Sequence, residues 1–517
     1  MIDSPRPGAA TRSFPSAVPV AVPISFLGLF FAWPVLTMFV DHLSWSTVAD
    51  VVRDRSLRGI AWFTFWQAVA STVVTLGVGV PLTWATVRWT FPGVSLLRTI
   101  STVPFLMPAV VVAAGVLAIV PERGVGAILW AHLSFNVAVV VRVVGARWAL
   151  VGATLEEAGA SLGASPWRVF RLVTWPLLRD AVRNAASLVF VFCFSSFAVI
   201  AVLGGVTRRT LETEVFTQAV RLGDIPTATA LALVQTAVVV AALWLGRQRR
   251  EPVEIGAATE TPRERHTRDR ISAQWLPPVV AAACAAITVA PLVVVAVRSV
   301  RYAGNWTLVG WRALFDGTLA RVGVDVLEVL AHSLVFAAVA VVIAVPLAML
   351  TVRRESTSLV ERLSLAPLLV SSVTLGLGLI VTFDSSPYDW RGATWLVPVV
   401  HAVVALPLAI YVLGPAVRAV GNDVLDAAAD LGAGALRRWW SIQLPLVRPA
   451  VLRAAGISVA VSIGEFGATS FLARSGSMTI PIAIGQLLGR PGPLLQQAGF
   501  ALVTLTALAI VVTTRSL

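Results

Sequence analysis

About twelve stretches of this sequence, near residues 18–40, 61–86, 97–120, 126–147, 184–204, 226–246, 277–298, 331–351, 363–383, 395–416, 451–472 and 496–514, are apolar over roughly 20 residues each. That is the length a helix needs to cross a hydrocarbon core, where no water can satisfy a backbone amide and each chain segment must satisfy its own. The expected fold is therefore an all-α polytopic membrane protein of about 12 transmembrane helices. A soluble domain is excluded, because 57% of the residues are hydrophobic, only 13% are charged and the mean hydropathy is +0.83. The first run is too long for a signal-peptide core and lacks a small-residue cleavage site, so it reads as a retained helix.

Charge placement orients the chain. All 40 basic residues are arginine. Most of them fall in loops on the side of residue 1, while the acids show no such bias, which is the positive-inside pattern with both termini cytoplasmic. The net charge of +13 then implies a membrane surface and lipid, and no nucleic-acid partner. A phosphate-binding P-loop requires a lysine, and the chain has none, so any ATP hydrolysis belongs to another polypeptide. Cys193 and Cys284 both fall inside predicted spans and read as small packing residues.

One stretch occurs twice. Residues 154–178 read TLEEAGASLGASPWRVFRLVTWPLL and residues 423–447 read DVLDAAADLGAGALRRWWSIQLPLV. The copies align Glu157-Ala158-Gly159 with Asp426-Ala427-Ala428, Gly163 with Gly432, Val173 with Ile442 and Pro176 with Pro445. The spacing predicts helix, turn, helix: Thr154 as the cap of a short polar helix, a left-handed glycine ending it, Ser165-Pro166 starting the next. Pro176 and Pro445, lacking a donor, should end that second short helix where a membrane helix begins.

Other positions pair across the chain as well: Pro81 with Pro346, Arg88 with Arg353, Pro104 with Pro367, Gly115 with Gly378, His132 with His401, Phe197 with Phe466 and Thr210 with Thr479. The chain reads as two homologous halves of six spans each. An even number of crossings makes them parallel repeats. The expected division is 1–59 (tail, first helix, outer segment), 60–247 (first transmembrane domain), 248–274 (cytoplasmic linker), 275–328 (seventh helix, outer segment) and 329–517 (second transmembrane domain). The outer segment 205–225 is expected to form a short solvated helix capped by Thr210, or a docking surface for a delivery protein.

Glu465, in SIGEFGATSFLA, reads as the one formal charge deep in a span. An intramembrane carboxylate must pair, protonate or line water, so it either marks a substrate path or sits hydrogen-bonded between packed helices. Ser195, Ser196 and Phe197 stand at the matching positions of the first half, with Phe466 beside the acid; these five are the candidate path residues. His132 and His401 are expected at the outer interface as hydrogen-bonding groups. No catalytic constellation and no metal-ligand cluster emerges.

The repeated stretch resembles the EAA-x3-G-x9-I-x-L-P loop of type-1 ABC importer permeases. The fused, two-domain form resembles the permeases for thiamine and ferric iron: FCFSSFAVIAVLGG with TLETEVFTQA is similar to the thiamine group, and GEFGATSFLA is shared by both. The first copy departs from the pattern at Gly159 and Trp175, the second at Asp426. The resemblance implies an importer permease with no cofactor of its own. Two copies of an ABC ATPase subunit, carrying ATP and Mg, would grip the loops at Glu157, Ala158, Gly159, Gly163 and Pro176 and at Asp426, Ala427, Ala428, Gly432 and Pro445. An extracytoplasmic binding protein would deliver the substrate across the cytoplasmic membrane. The alternative from another class is an ion-coupled secondary transporter, which usually needs several buried ionisable groups.

Overall fold

The computed structural model describes residues 18–246, 275–352 and 359–515, apart from residues 152, 206, 303, 386 and 388. The predicted linker 248–274 and Arg353 lie outside the described residues. The first half contains α1 (Ala21–His42), α2 (Trp45–Arg53), α3 (Arg55–Val87), α4 (Val94–Leu106), α5 (Ala109–Ile119), α6 (Val125–Leu150) and α7 (Ala153–Ser161). A long helix α8 over residues 166–194, the short α9 (Ala198–Leu203) and α10 (Leu211–Phe216), and α11 (Ile225–Gly246) complete it. The second half contains α12 (Leu276–Ser299), a two-stranded hairpin at residues 301–306, α13 (Val309–Ala313), α14 (Val326–Thr351), α15 (Leu359–Leu363), α16 (Ser372–Thr382), α17 (Leu396–Ala419) and α18 (Asn422–Asp430). It ends in α19 (Ala435–Gly464), α20 (Gly467–Leu472), α21 (Ile480–Gly489) and α22 (Pro493–Arg515).

Why these helices suit a bilayer is plain on α3. Trp62, Phe65, Trp66, Val69 and Val73 form one exposed stripe at helical spacing, while Thr64, Gln67, Ser71 and Thr75 are buried. Apolar groups face out and polar groups face in. Several buried hydroxyls are satisfied within the helix: Thr72, Thr83 and Thr86 each donate to the carbonyl four residues back at 2.7 Å.

Nine described helices are long and apolar enough to cross a membrane, and two bent pairs, α4–α5 and α15–α16, raise this to eleven. The expectation of continuous spans at 97–120 and 363–383 is corrected: each is broken, the second by 96°. Spans 184–204 and 451–472 are broken too. The helix preceding each ends at Phe194 or Gly464, and a short helix restarts at Ala198 or Gly467. Apolar composition alone cannot reveal such breaks, because irregular backbone is tolerated at membrane depth once protein surrounds it.

The opening helix of each half packs on the other half. α12 lies against α3, α4 and α5, and α1 lies against α14 and α16. Two glycines make this possible. A Cβ on Gly115 would stand 2.4 Å from the Pro291 carbonyl oxygen, and one on Gly378 would stand 2.9 Å from that of Pro34. No Cβ fits at such distances, so the matched glycines set the approach of the exchanged helices.

Candidate functional site: the paired loops and the junction of the halves

Both loops close with the same hydrogen bonds. In the first, Gly163 N–H donates to Ala160 O at 2.9 Å and Ala164 N–H to Gly159 O at 3.2 Å; in the second, Gly432 N–H donates to Ala429 O at 2.8 Å and Ala433 N–H to Ala428 O at 2.9 Å. These pairs form a Schellman motif, which needs a left-handed residue at the helix exit. The glycines supply it, with φ of +80° and +82°. Ser165 then accepts from Arg168 N–H at 3.4 Å, with Pro166 at the first turn.

Two local expectations are corrected. α7 begins at Ala153, so Thr154 is already helical and is not the cap. Nor do Pro176 and Pro445 end a helix. In each copy a π turn, Phe170–Thr174 or Trp439–Gln443, precedes the proline, and the helix runs on. The wider turn removes the need for the N–H that proline lacks, and the second short helix of each loop and the membrane helix become one rod.

The surface of each loop is unusually apolar. Leu162 and Leu431, matched positions just before the glycines, are both 89% exposed, with Trp167 and Leu436 exposed beside them. Glu157, Ala158, Asp426 and Ala427 are exposed, while Gly159 and Ala428 are half-buried. A Cβ on Gly159 would meet Val169 Cγ2 at 3.2 Å, which accounts for glycine there in place of the second copy's alanine. An acid that sequence reasoning passed over anchors the first loop. Glu156 pairs with Arg88 and accepts from Thr174 Oγ1 at 2.7 Å, while Arg88 also donates to Val151 O at 3.1 Å. The second copy has buried Leu425 at that register, and the inward position was the available signal that an acid there needs a partner.

At the junction of the halves, the matched Phe197 and Phe466 touch one another, with ring centroids 5.3 Å apart. Phe216 adds to both sides, 5.5 Å from Phe197 and 5.3 Å from Phe471. Ser195 and Ser196 are half-buried at the break before Phe197. Glu465 is buried at the equivalent break and caps α20: its carboxylate accepts from Ala468 N–H at 3.1 Å, Thr469 N–H at 2.9 Å and Thr469 Oγ1 at 2.5 Å. His401 completes the cluster through Ser462 Oγ at 2.7 Å and Thr469 Oγ1 at 2.8 Å. His132 instead bonds Ser71 Oγ on α3 at 2.9 Å, since Cys193 stands where the second half has Ser462. Both histidines are buried between helices, which corrects their expected place at the interface.

Glu465 is not alone. Glu212, Glu214 and Glu361 are also buried. Glu212 accepts from Gln235, Glu214 pairs with Arg209 at 2.9 Å, and Glu361 pairs with Arg418 at 3.1 Å. The segment 205–225 is thus no solvated outer helix. α10 docks on α3 through Leu211 N–H to Thr64 Oγ1, and α21 docks on α14 through Ile480 N–H to Ser333 Oγ, both at 2.9 Å.

Two halves that exchange their opening helices and meet at a shared aromatic contact, with one exposed loop built twice, describe a polytopic membrane protein. Residues 340–517 match the family model described as the binding-protein-dependent transport system inner membrane component. The chain is similar to the thiamine transport system permease protein ThiP of Salmonella typhimurium, at 25% identity over 479 residues and 86% of each chain. It is similar to ThiP of Brucella abortus, at 25% over 508 residues, covering 92% of this chain and 91% of that one. The probable ABC transporter permease protein y4fN of Sinorhizobium fredii is 25% identical over 518 residues, covering 89% and 90%. The protein is a multi-pass membrane protein similar, over most of its length, to permeases of type-1 ABC importers.

Proposed function

We propose that this chain is the complete transmembrane unit of an ATP-driven importer, served by two copies of an ABC ATPase subunit on the cytoplasmic face and by an extracytoplasmic binding protein. The observation that carries this is the pair of loops: the same glycine turn, π turn and exposed leucine recur 269 positions apart, Leu162 with Leu431. Two knobs of the same build on one chain fit two copies of one partner. Residues 60–247 and 329–517 then act as its two transmembrane domains, and both termini lie on the side of the loops.

The exposed leucines are the apolar centre of each contact, and the rigid continuation through Pro176 and Pro445 carries a push from the loop into α8 and α19. These helices end at Phe194 and Gly464, just before the serines and Glu465, so loop movement reaches the Phe197–Phe466 contact directly. This contact is the proposed gate of the substrate path, with Ser195 and Ser196 in the break beside it. Glu465 serves it by holding α20 in place.

For substrate, the names of the relatives favour a thiamine-type compound, with a ferric-iron-type substrate as the second reading. Ion-coupled secondary transport fits less well, since each buried acid already has a protein partner. Uptake of labelled thiamine by proteoliposomes holding the chain, its ATPase and its binding protein tests the reading. Uptake that needs ATP and both partners supports it; uptake driven by an ion gradient without the ATPase would overturn it.

A further inference from the structure

Glu212 is a buried acid whose hydrogen bonds are incomplete. It lies on α10 with no exposed surface, and one of its carboxylate oxygens accepts from the Gln235 amide of α11. No protein donor reaches the other oxygen, Oε2, and none reaches the carbonyl oxygen Oε1 of Gln235 itself. Glu214 and Glu361 have arginine partners and Glu465 has three donors, so among the described buried acids the shortfall falls on Glu212. Two orphaned acceptors side by side lack a donor, and a buried carboxylate needs positive charge as well.

The second half brings more negative charge to the same place. Ser371, at the start of α16, lies beside Glu212, and Glu465 is near enough to repel it. Among the described residues neither acid pairs with an arginine. The repeat does not dictate this meeting: Glu212 stands where the second copy has Pro481, and Glu465 where the first has Ser196. Each half supplies one acid at an unmatched position.

Aromatic rings adjoin the acids. Phe216 is one turn on from Glu212 in α10, Phe466 follows Glu465, and Phe197 touches both rings, at 5.5 and 5.3 Å. Phe216 and Phe466 also form part of the wall of a cavity of about 660 Å³, which neither acid reaches. The arginines along that cavity, Arg123, Arg474 and Arg490, are exposed, so water and salt screen their charge far more than that of the buried carboxylates. Behind the rings the acids set the field.

We propose that Glu212 and Gln235 form a cation-recognition site on the transport path, taking a positively charged, N–H-bearing part of an organic substrate whose apolar part meets Phe197, Phe216 and Phe466. Aromatic faces favour an organic cation, and no group of three His, Cys, Asp or Glu suited to a metal ion occurs among the described residues. The proposal rests on the import reading and narrows it: a thiamine-type compound fits this site and a ferric ion does not. In this structure the Phe197–Phe466 contact is closed, so the cation reaches Glu212 when that gate parts.

The test uses the chain with its ATPase in phosphatidylcholine nanodiscs. Labelled thiamine is titrated both without nucleotide and with the ATPase trapped by vanadate, so that two states of the gate are sampled. Thiamine should bind in at least one state, and E212Q, which keeps the size and removes the charge, should weaken it roughly tenfold, the order of one lost charge-assisted hydrogen bond. E212D, which keeps the charge, should recover part of that loss. The melting temperature of E212Q should equal or exceed that of the wild type, because a buried charge has gone. Equal binding by wild type and E212Q, or no binding in either state, would overturn the proposal, as would a melting temperature that falls in step with binding. Sodium chloride in place of thiamine probes for an inorganic ion: Glu212-dependent stabilisation by sodium, with none by thiamine, would overturn the organic assignment. Proteoliposomes that also hold the binding protein keep the two readings apart. ATP-driven uptake left unchanged by E212Q would sink this site and spare the import reading; Glu212-dependent binding without any ATP-driven uptake would do the reverse.

Discussion

Glu465 shows how a residue flagged by cost acquires a role from its neighbours. A carboxylate in an apolar span is expensive, but here three donors meet it at the start of α20. Glu465→Gln keeps one acceptor and sets an amide against a backbone N–H. The expected result is a loss of about 1–3 kcal/mol, the cost of stranding a buried donor, seen as a lower melting temperature in detergent. Uptake per folded molecule should fall less than stability does; a large loss of uptake at unchanged stability would assign the acid to the path instead. The turn glycines allow a second prediction. A Cβ at Gly163 or Gly432 meets nothing within 4 Å, so Gly→Val costs the left-handed conformation alone within this chain, about 1–2 kcal/mol. Both variants should remain folded yet retain less ATPase on co-purification, with the second-half variant worse because its motif lies closer to the family pattern. Normal recovery and normal uptake in both would remove these loops as coupling elements.

At the scale of elements, the second short helix of each loop runs without a break into the membrane helix behind it. The π turns at Phe170–Thr174 and Trp439–Gln443 replace the expected breaks at proline, and under the proposed function a change at the loop tip should reach the far end of α8 or α19. Leu162→Asp and Leu431→Asp should therefore cut ATPase association without unfolding the chain, because both side chains are almost fully exposed. Pull-down of the ATPase at matched expression checks this, and unchanged capture by the double variant would refute it. The first loop has an added anchor in the Arg88–Glu156 pair. Arg88→Ala removes the charged partner of the partly buried Glu156 carboxylate, which keeps Thr174, and the first loop should become the more protease-sensitive of the two. Much of this level was legible in advance: the glycine turn, the Ser165 cap and the pairing of copies follow from short-range rules. The π turns were not, because a proline two residues past a widened turn has the same sequence signature as a helix stop.

For the whole molecule, the exchanged helices make each half incomplete alone. α12 covers α3 and α5, and α1 covers α14 and α16. Expressed separately, residues 1–247 and 275–517 should each be degraded, whereas co-expression of the two should recover a complex that co-purifies. A stable, monodisperse first half on its own would contradict the exchange.

The sequence by itself determined that the chain lives in a membrane, that its halves correspond, and that one loop recurs, because hydrophobic length, arginine placement and turn chemistry are local properties read within a few dozen residues. Tertiary structure alone decided which half each opening helix joins, that Phe197 meets its own counterpart Phe466, and that Glu212 and Glu214 turn inward. Those outcomes depend on where glycines such as Gly115 and Gly378 let two backbones meet. A small residue states in sequence that a close approach is permitted, and only the packed fold states what approaches.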